Sequence, residues 1–184
     1  MRASDPSIVT VRHLAVIGDS IITEWADWLG DRMTASSAIP RPVVERELKL
    51  ILGVLDQTVG PMRREVKELW TRTFEHFGRL AAARGLASGE VVEEVMFLRI
   101  LLIRNLAPVL VRMRNRQAMA IIIRLNTVLD QGCATAVVSY TDALVATIFA
   151  RNGVPAPDTN LDLGDIERQL EHLEQELAGL NQSL

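Results

Sequence analysis

Leu163-Gly164-Asp165-Ile166-Glu167-Arg168-Gln169-Leu170-Glu171-His172-Leu173-Glu174-Gln175-Glu176-Leu177-Ala178-Gly179-Leu180-Asn181-Gln182-Ser183-Leu184 decides how this chain is partitioned. Its apolar residues Leu163, Ile166, Leu170, Leu173, Leu177, Leu180 and Leu184 follow one another at spacings of 3, 4, 3, 4, 3 and 4, a heptad seam. Such a strip is buried only against another apolar strip, so the spacing predicts a coiled-coil helix over 162–184 that pairs in parallel with a second copy. The stretch from Leu161 holds six Asp/Glu against Arg168 alone, so pairing two such tails should weaken at low salt. Asn152-Gly153-Val154-Pro155-Ala156-Pro157 precedes it and reads as a hinge. The expected organisation is a body over 1–151, a linker over 152–161 and a coiled-coil helix over 162–184.

The body reads as helical throughout. Aromatics make up 4% of the 184 residues, and helical periodicity dominates over strand alternation, so the expected class is all-α, a bundle of about five helices with a globin-like arrangement as one option. Asp5-Pro6 should start helix 1, running to about Arg32; Pro40 and Pro42 open helix 2, to about Thr58. Gly60-Pro61 opens helix 3, to about Ala83, with Gly85 as its left-handed stop. Ser88 should cap helix 4, and Pro108, lacking an N–H, should kink or end it near Arg104. Helix 5 is expected from about Asn115 to Ala150.

Net charge is −3, which gives no global pull toward nucleic acid. A single cysteine, Cys133, suits a reducing compartment, the N-terminus lacks the apolar core of a signal peptide, and the greasiest stretch, Ile100–Val111, is broken by Arg104 and Pro108. The expectation is a cytoplasmic protein without a membrane span.

Groups able to do chemistry are sparse. His13, His76 and His172 show no metal-ligand spacing, Cys133 has no Cys-x-x-Cys partner, and neither a phosphate loop nor a nucleophile elbow is present, so no catalytic residue, metal or cofactor is assigned. His76, beside Phe74 and Phe77, reads as a surface or boundary residue lying off the apolar stripe; the alternative is a haem ligand. Arg99, Arg104, Arg112, Arg114, Arg116 and Arg124 crowd a stretch without acids, and pairing with Glu90, Glu93, Glu94 and acids of helices 2 and 3 is the plainer reading than a basic docking face. Asn126 and Asp130, one turn apart on a nearly all-apolar helix, are expected to be partly buried and to meet Arg99; with Tyr140 they are the ligand or switch candidates.

Phe77-Gly78-Arg79-Leu80-Ala81-Ala82-Ala83-Arg84-Gly85-Leu86, Gly89-Glu90-Val91-Val92-Glu93-Glu94, Phe97-Leu98-Arg99, Leu125-Asn126-Thr127-Val128-Leu129-Asp130-Gln131-Gly132 with Tyr140, and Ile21-Ile22-Thr23-Glu24-Trp25 resemble the N-terminal domain of RsbRD-type co-antagonist regulators, a domain also found at the head of bacterial sensor histidine kinases. The resemblance spans roughly residues 8–150. It implies a helical, cytoplasmic, non-enzymatic input domain that acts on a downstream or separate signalling protein; any kinase activity would lie in a domain outside this chain. It brings no ligand residues with it. The resulting expectation is a homodimeric sensory module of a two-component or related system, relaying a packing change through the coiled coil. A haem-binding, globin-like gas sensor using His76 is the alternative.

Overall fold

The computed structural model describes residues 6–31, 39–59, 66–152 and 162–182. They form six helices and, among the described residues, no strand: α1 (Pro6–Gly30), α2 (Arg41–Val59), α3 (Lys67–Ala83), α4 (Ser88–Leu110), α5 (Asn115–Arg151) and α6 (Leu163–Gln182). The fold is all-α, a compact bundle.

The aromatic helix α3 is the centre. It packs most extensively on α5, and also on α2 and α6, while α1 covers α2 and α4. Trp25, Phe74 and Phe77 are the largest fully buried side chains, and Phe77 lies within 6.4 Å of Trp25 and 5.8 Å of Phe74, centroid to centroid. The α3–α5 crossing is tight because residue 78 is glycine: a Cβ there would stand 2.2 Å from the carbonyl oxygen of Ala136. Trp70 Nε1 donates to the Val128 carbonyl at 3.2 Å and Ser139 Oγ to the Glu75 carbonyl at 2.7 Å, which fixes the register of the two helices.

Helix ends depart from expectation at a few places. α3 closes as expected, with Gly85 at φ 76° and Leu86 N–H donating back to the Ala81 carbonyl at 3.2 Å. At α4 the Glu90 carboxylate accepts from the Ala87 N–H at 2.6 Å, so the cap lies one residue before Ser88. Pro108 does not end α4 near Arg104. The helix continues to Leu110 because Leu106 and Leu110 are buried and hold the final turn, while Pro108 itself faces out. The expected opening of helix 3 at Gly60-Pro61 and the hinge from Gly153 onward lie outside the described residues.

The largest departure concerns α6. It lies against α2 and α3, with Ile166, Leu170 and Leu173 in the same core cluster as the rest of the body and Leu163, Leu177 and Leu180 partly buried on it. Leu177 sits over Gly53 of α2. Leu184 lies outside the described residues. A heptad seam specifies a strip that needs cover, but not the identity of the cover; here α2 and α3 of the same chain supply it. In this arrangement α6 packs on α2 and α3.

By length and composition alone α5 is long and apolar enough to cross a membrane, which the reading of the Ile100–Val111 stretch did not anticipate. In the bundle it contributes Ile121, Leu125, Leu129, Ala136, Tyr140 and Ala143 to the core, and it exposes Met119, Ile123, Val138, Val145, Ile148 and Phe149.

Candidate functional site

α6 is held by polar contacts as well as by its seam. At its solvent edges Arg46 Nη2 and Nε of α2 donate to Glu174 at 2.5 and 3.1 Å, Arg72 of α3 pairs with Glu176, and Gln57 donates to Asn181 at 2.8 Å. The acidic face of α6 thus meets guanidinium groups of the body. The hydrogen bond to Glu174 is the main cause that holds the Arg46 pKa above its ordinary value; burial opposes it, and the charges of Glu174, Glu167 and Glu171 add to it.

Beneath the seam sits His76, fully buried, where a surface or boundary residue was expected. α3 contacts α2, α5 and α6 at once, so its buried arc is far wider than one stripe, and His76, three residues past buried Thr73 and four before Leu80, falls inside it. Its Nδ1 lies 2.7 Å from Oε2 of Glu47, also fully buried, and its Nε2 lies 2.9 Å from the carbonyl oxygen of Ile166. One ring therefore bridges α3 to α2 on one side and to the first turn of α6 on the other. Glu47 Oε1 is buried without a hydrogen-bond partner.

The geometry restricts the protonation. A carbonyl oxygen only accepts, so Nε2 carries a hydrogen while the Ile166 contact stands. A second proton then lies between Nδ1 and Glu47, making either imidazolium with carboxylate or imidazole with carboxylic acid; the pair is neutral overall in both forms. Burial pushes the His76 pKa down, but the Glu47 charge, the hydrogen bond to it and the Ile166 carbonyl outweigh that and leave it raised, with Arg79 opposing. The haem alternative needs a ring nitrogen that is free and faces a cavity. Both nitrogens of His76 are engaged, one by Glu47 and one by the Ile166 carbonyl, and its side chain has zero exposure.

The other sequence candidates lie elsewhere. Arg99 and Asp130 do form an ion pair, but Asp130 is 64% exposed rather than buried, because it faces out from the α4–α5 seam next to α5's solvent side. Asn126 is half-buried. Tyr140 is buried and donates to the Leu86 carbonyl at 2.5 Å, which ties α5 to the turn after α3. Of the arginine cluster, Arg104 pairs with Glu24 of α1 and Arg99 with α5, not with the expected acids of helices 2 to 4; Glu94 is instead the buried bidentate partner of Arg84 at 2.7 and 3.0 Å. Among the described residues no group of three or more His, Cys, Asp or Glu is placed to hold a metal ion.

Grooves flank α3. One, of about 550 Å³, lies against α5 and is lined by Thr71, Glu75, Arg79, Thr135, Ser139 and Asp142; another, of about 520 Å³, lies at Lys67, Glu68, Thr71 and Arg72; and one of about 180 Å³ runs under α6 beside Arg72, Arg79 and His172. A cleft of about 240 Å³ between α1 and α2 contains Asp19, Lys49 and Asp56, and burial lifts the Asp56 pKa to about 7. Sequence reasoning passed over Glu47, although its spacing from Val43 and Ile51, four residues either way, placed a carboxylate on the apolar stripe of α2. Comparison with protein-family models, with curated proteins and with solved structures gives no match.

Proposed function

We propose that this chain is the helical input module of a signalling protein and that α6 is its output element, exchanged between the docked position on α2–α3 and a released position in which its heptad seam pairs with a partner helix, in the first instance that of a second copy. The observation that supports this reading is that one seam meets the requirements of both positions. Its spacing is that of a coiled coil, yet it is covered within the chain, and its edges are closed by ion pairs on exposed side chains rather than by further core. Exposed pairs of that kind contribute about 1 kcal/mol or less each, so most of the docking free energy lies in the apolar seam, and pairing of the released seam with a second one restores that burial. The likeness to the RsbRD-type N-terminal domain agrees with an input role acting on a downstream or separate partner and with a non-enzymatic, cytoplasmic module.

Charge reversal tests it without touching the seam. Arg46→Glu with Arg72→Glu turns both edge pairs into repulsions with Glu174 and Glu176 while leaving Ile166, Leu170, Leu173 and Leu177 in place. Sedimentation should find the native chain monomeric at micromolar concentration and the double variant forming a concentration-dependent dimer. A double variant that stays monomeric while its α6 amides exchange freely would show release without pairing and refute the proposal.

A further inference from the structure

We propose that the His76–Glu47 pair is a proton-operated latch on α6: with its shared proton in place the pair holds the Ile166 carbonyl and keeps α6 docked, and loss of that proton to solvent releases the helix. The inference follows from counting donors. The two contacts of the ring need two hydrogens, one for each nitrogen, because both outside partners are acceptors, a carboxylate and a carbonyl. Remove one proton and a single N–H must serve both. If it stays on Nε2, a bare Nδ1 lone pair confronts a buried carboxylate at 2.7 Å whose other oxygen already lacks a partner. If it moves to Nδ1, the Nε2 lone pair confronts the Ile166 carbonyl and this buried polar contact to α6 is lost. Either state leaves a net negative charge in the core, which costs several kcal/mol unless water reaches it. Undocking α6 lets water in, because α6 forms one wall of the site.

The groups that act on the ring come from α2, α3 and α6. Glu47 faces it from α2, Arg79 from α3 itself, and α6 presents the Ile166 carbonyl. Farther out on the same interface stand the Arg46–Glu174 and Arg72–Glu176 pairs and the exposed His172. Because the folded His76 pKa is raised, the stabilisation is fully present below the ordinary histidine value of about 6.5 and is lost as pH rises through the raised one. Mild alkalinisation therefore opens the latch, and acidification closes it.

Hydrogen exchange on the full chain reads docking directly, and so separates this inference from the proposed function on which its biological meaning rests; self-association reads the latter. After correction for the intrinsic pH dependence of exchange, protection of α6 relative to α4 should fall by up to about ten-fold per pH unit as pH rises above the ordinary histidine value of about 6.5. In Glu47→Gln the amide can donate to Nδ1 while Nε2–H still serves Ile166, so α6 should remain protected and lose its pH response. Glu47→Gln combined with His76→Gln removes both titrating groups of the pair and should lose the response as well, which covers the case in which the single Glu47 variant fails to fold. His172→Asn and Asp56→Asn, which remove groups outside the pair, should keep it. A flat profile in the native chain, a response that survives in Glu47→Gln or in the double variant, or one abolished by His172→Asn or Asp56→Asn, would overturn the latch.

Discussion

Asp56 shows how much a single residue can hold in reserve. Its carboxyl, on the wall of the α1–α2 cleft, is raised to about 7 by burial. A carboxyl with a raised folded value binds its proton more tightly folded than unfolded, so its contribution is present below about pH 4 and is lost as pH rises toward 7. Asp56→Asn should therefore leave stability near pH 4 unchanged and raise it at pH 8 by at most about 4 kcal/mol, less to the extent that the cleft admits water. Urea denaturation at the two pH values measures the difference; equal stability of the variant and native chain at pH 8 would contradict the burial. Residues of this kind are hard to read from sequence. Position 56 looks like an ordinary exposed acid near a helix end, and only the covering α1 makes it otherwise. His76 and Glu47 were legible in part, since both sit at three- and four-residue spacings from core positions, but the breadth of the buried arc of α3 depends on how many neighbours it has, which no local pattern reports. The Arg99–Asp130 pairing followed from spacing; the exposure of Asp130 did not, because an apolar surround in sequence becomes an exposed apolar face on α5.

At the scale of elements, six helices and most of their limits were readable from periodicity, proline and glycine, and α5 in particular runs from Asn115 to Arg151 as the pattern suggests. The failures share one cause. Pro108 ends a helix only where tertiary contacts do not hold the next turn, and Leu106 and Leu110 hold it. For α6 the seam specified an amphipathic helix correctly while leaving its partner open. Charge separates the two partners. An acidic tail pairing with its own copy repels at low salt, whereas the same tail docked on Arg46 and Arg72 is attracted. Raising salt from about 0.02 to 0.5 M should therefore loosen α6, seen as faster exchange of its amides relative to those of α4. Slower exchange at high salt would favour acidic self-pairing as the resting state.

On the scale of the whole molecule, the body and α6 form one bundle in which the central α3 carries both the aromatic core and the contact to α6. This gives α6 a direct mechanical link to the packing of α2 and α3, so a perturbation that shifts either helix reaches α6 without passing through the 152–161 segment. The expected partition into body, hinge and tail puts the coupling in that segment, of which 153–161 lie outside the described residues; among the described ones, Glu47, His76 and Ile166 join α2, α3 and α6. The central claim is that the seam of α6 is covered by its own chain at rest. Spin labels at Gln57→Cys and Asn181→Cys, in a Cys133→Ser background, test it most directly, since the native side chains are hydrogen-bonded at 2.8 Å. The account predicts strong dipolar broadening that persists when labelled chain is diluted into an excess of unlabelled chain. Broadening that is absent, or that disappears on dilution, would contradict it.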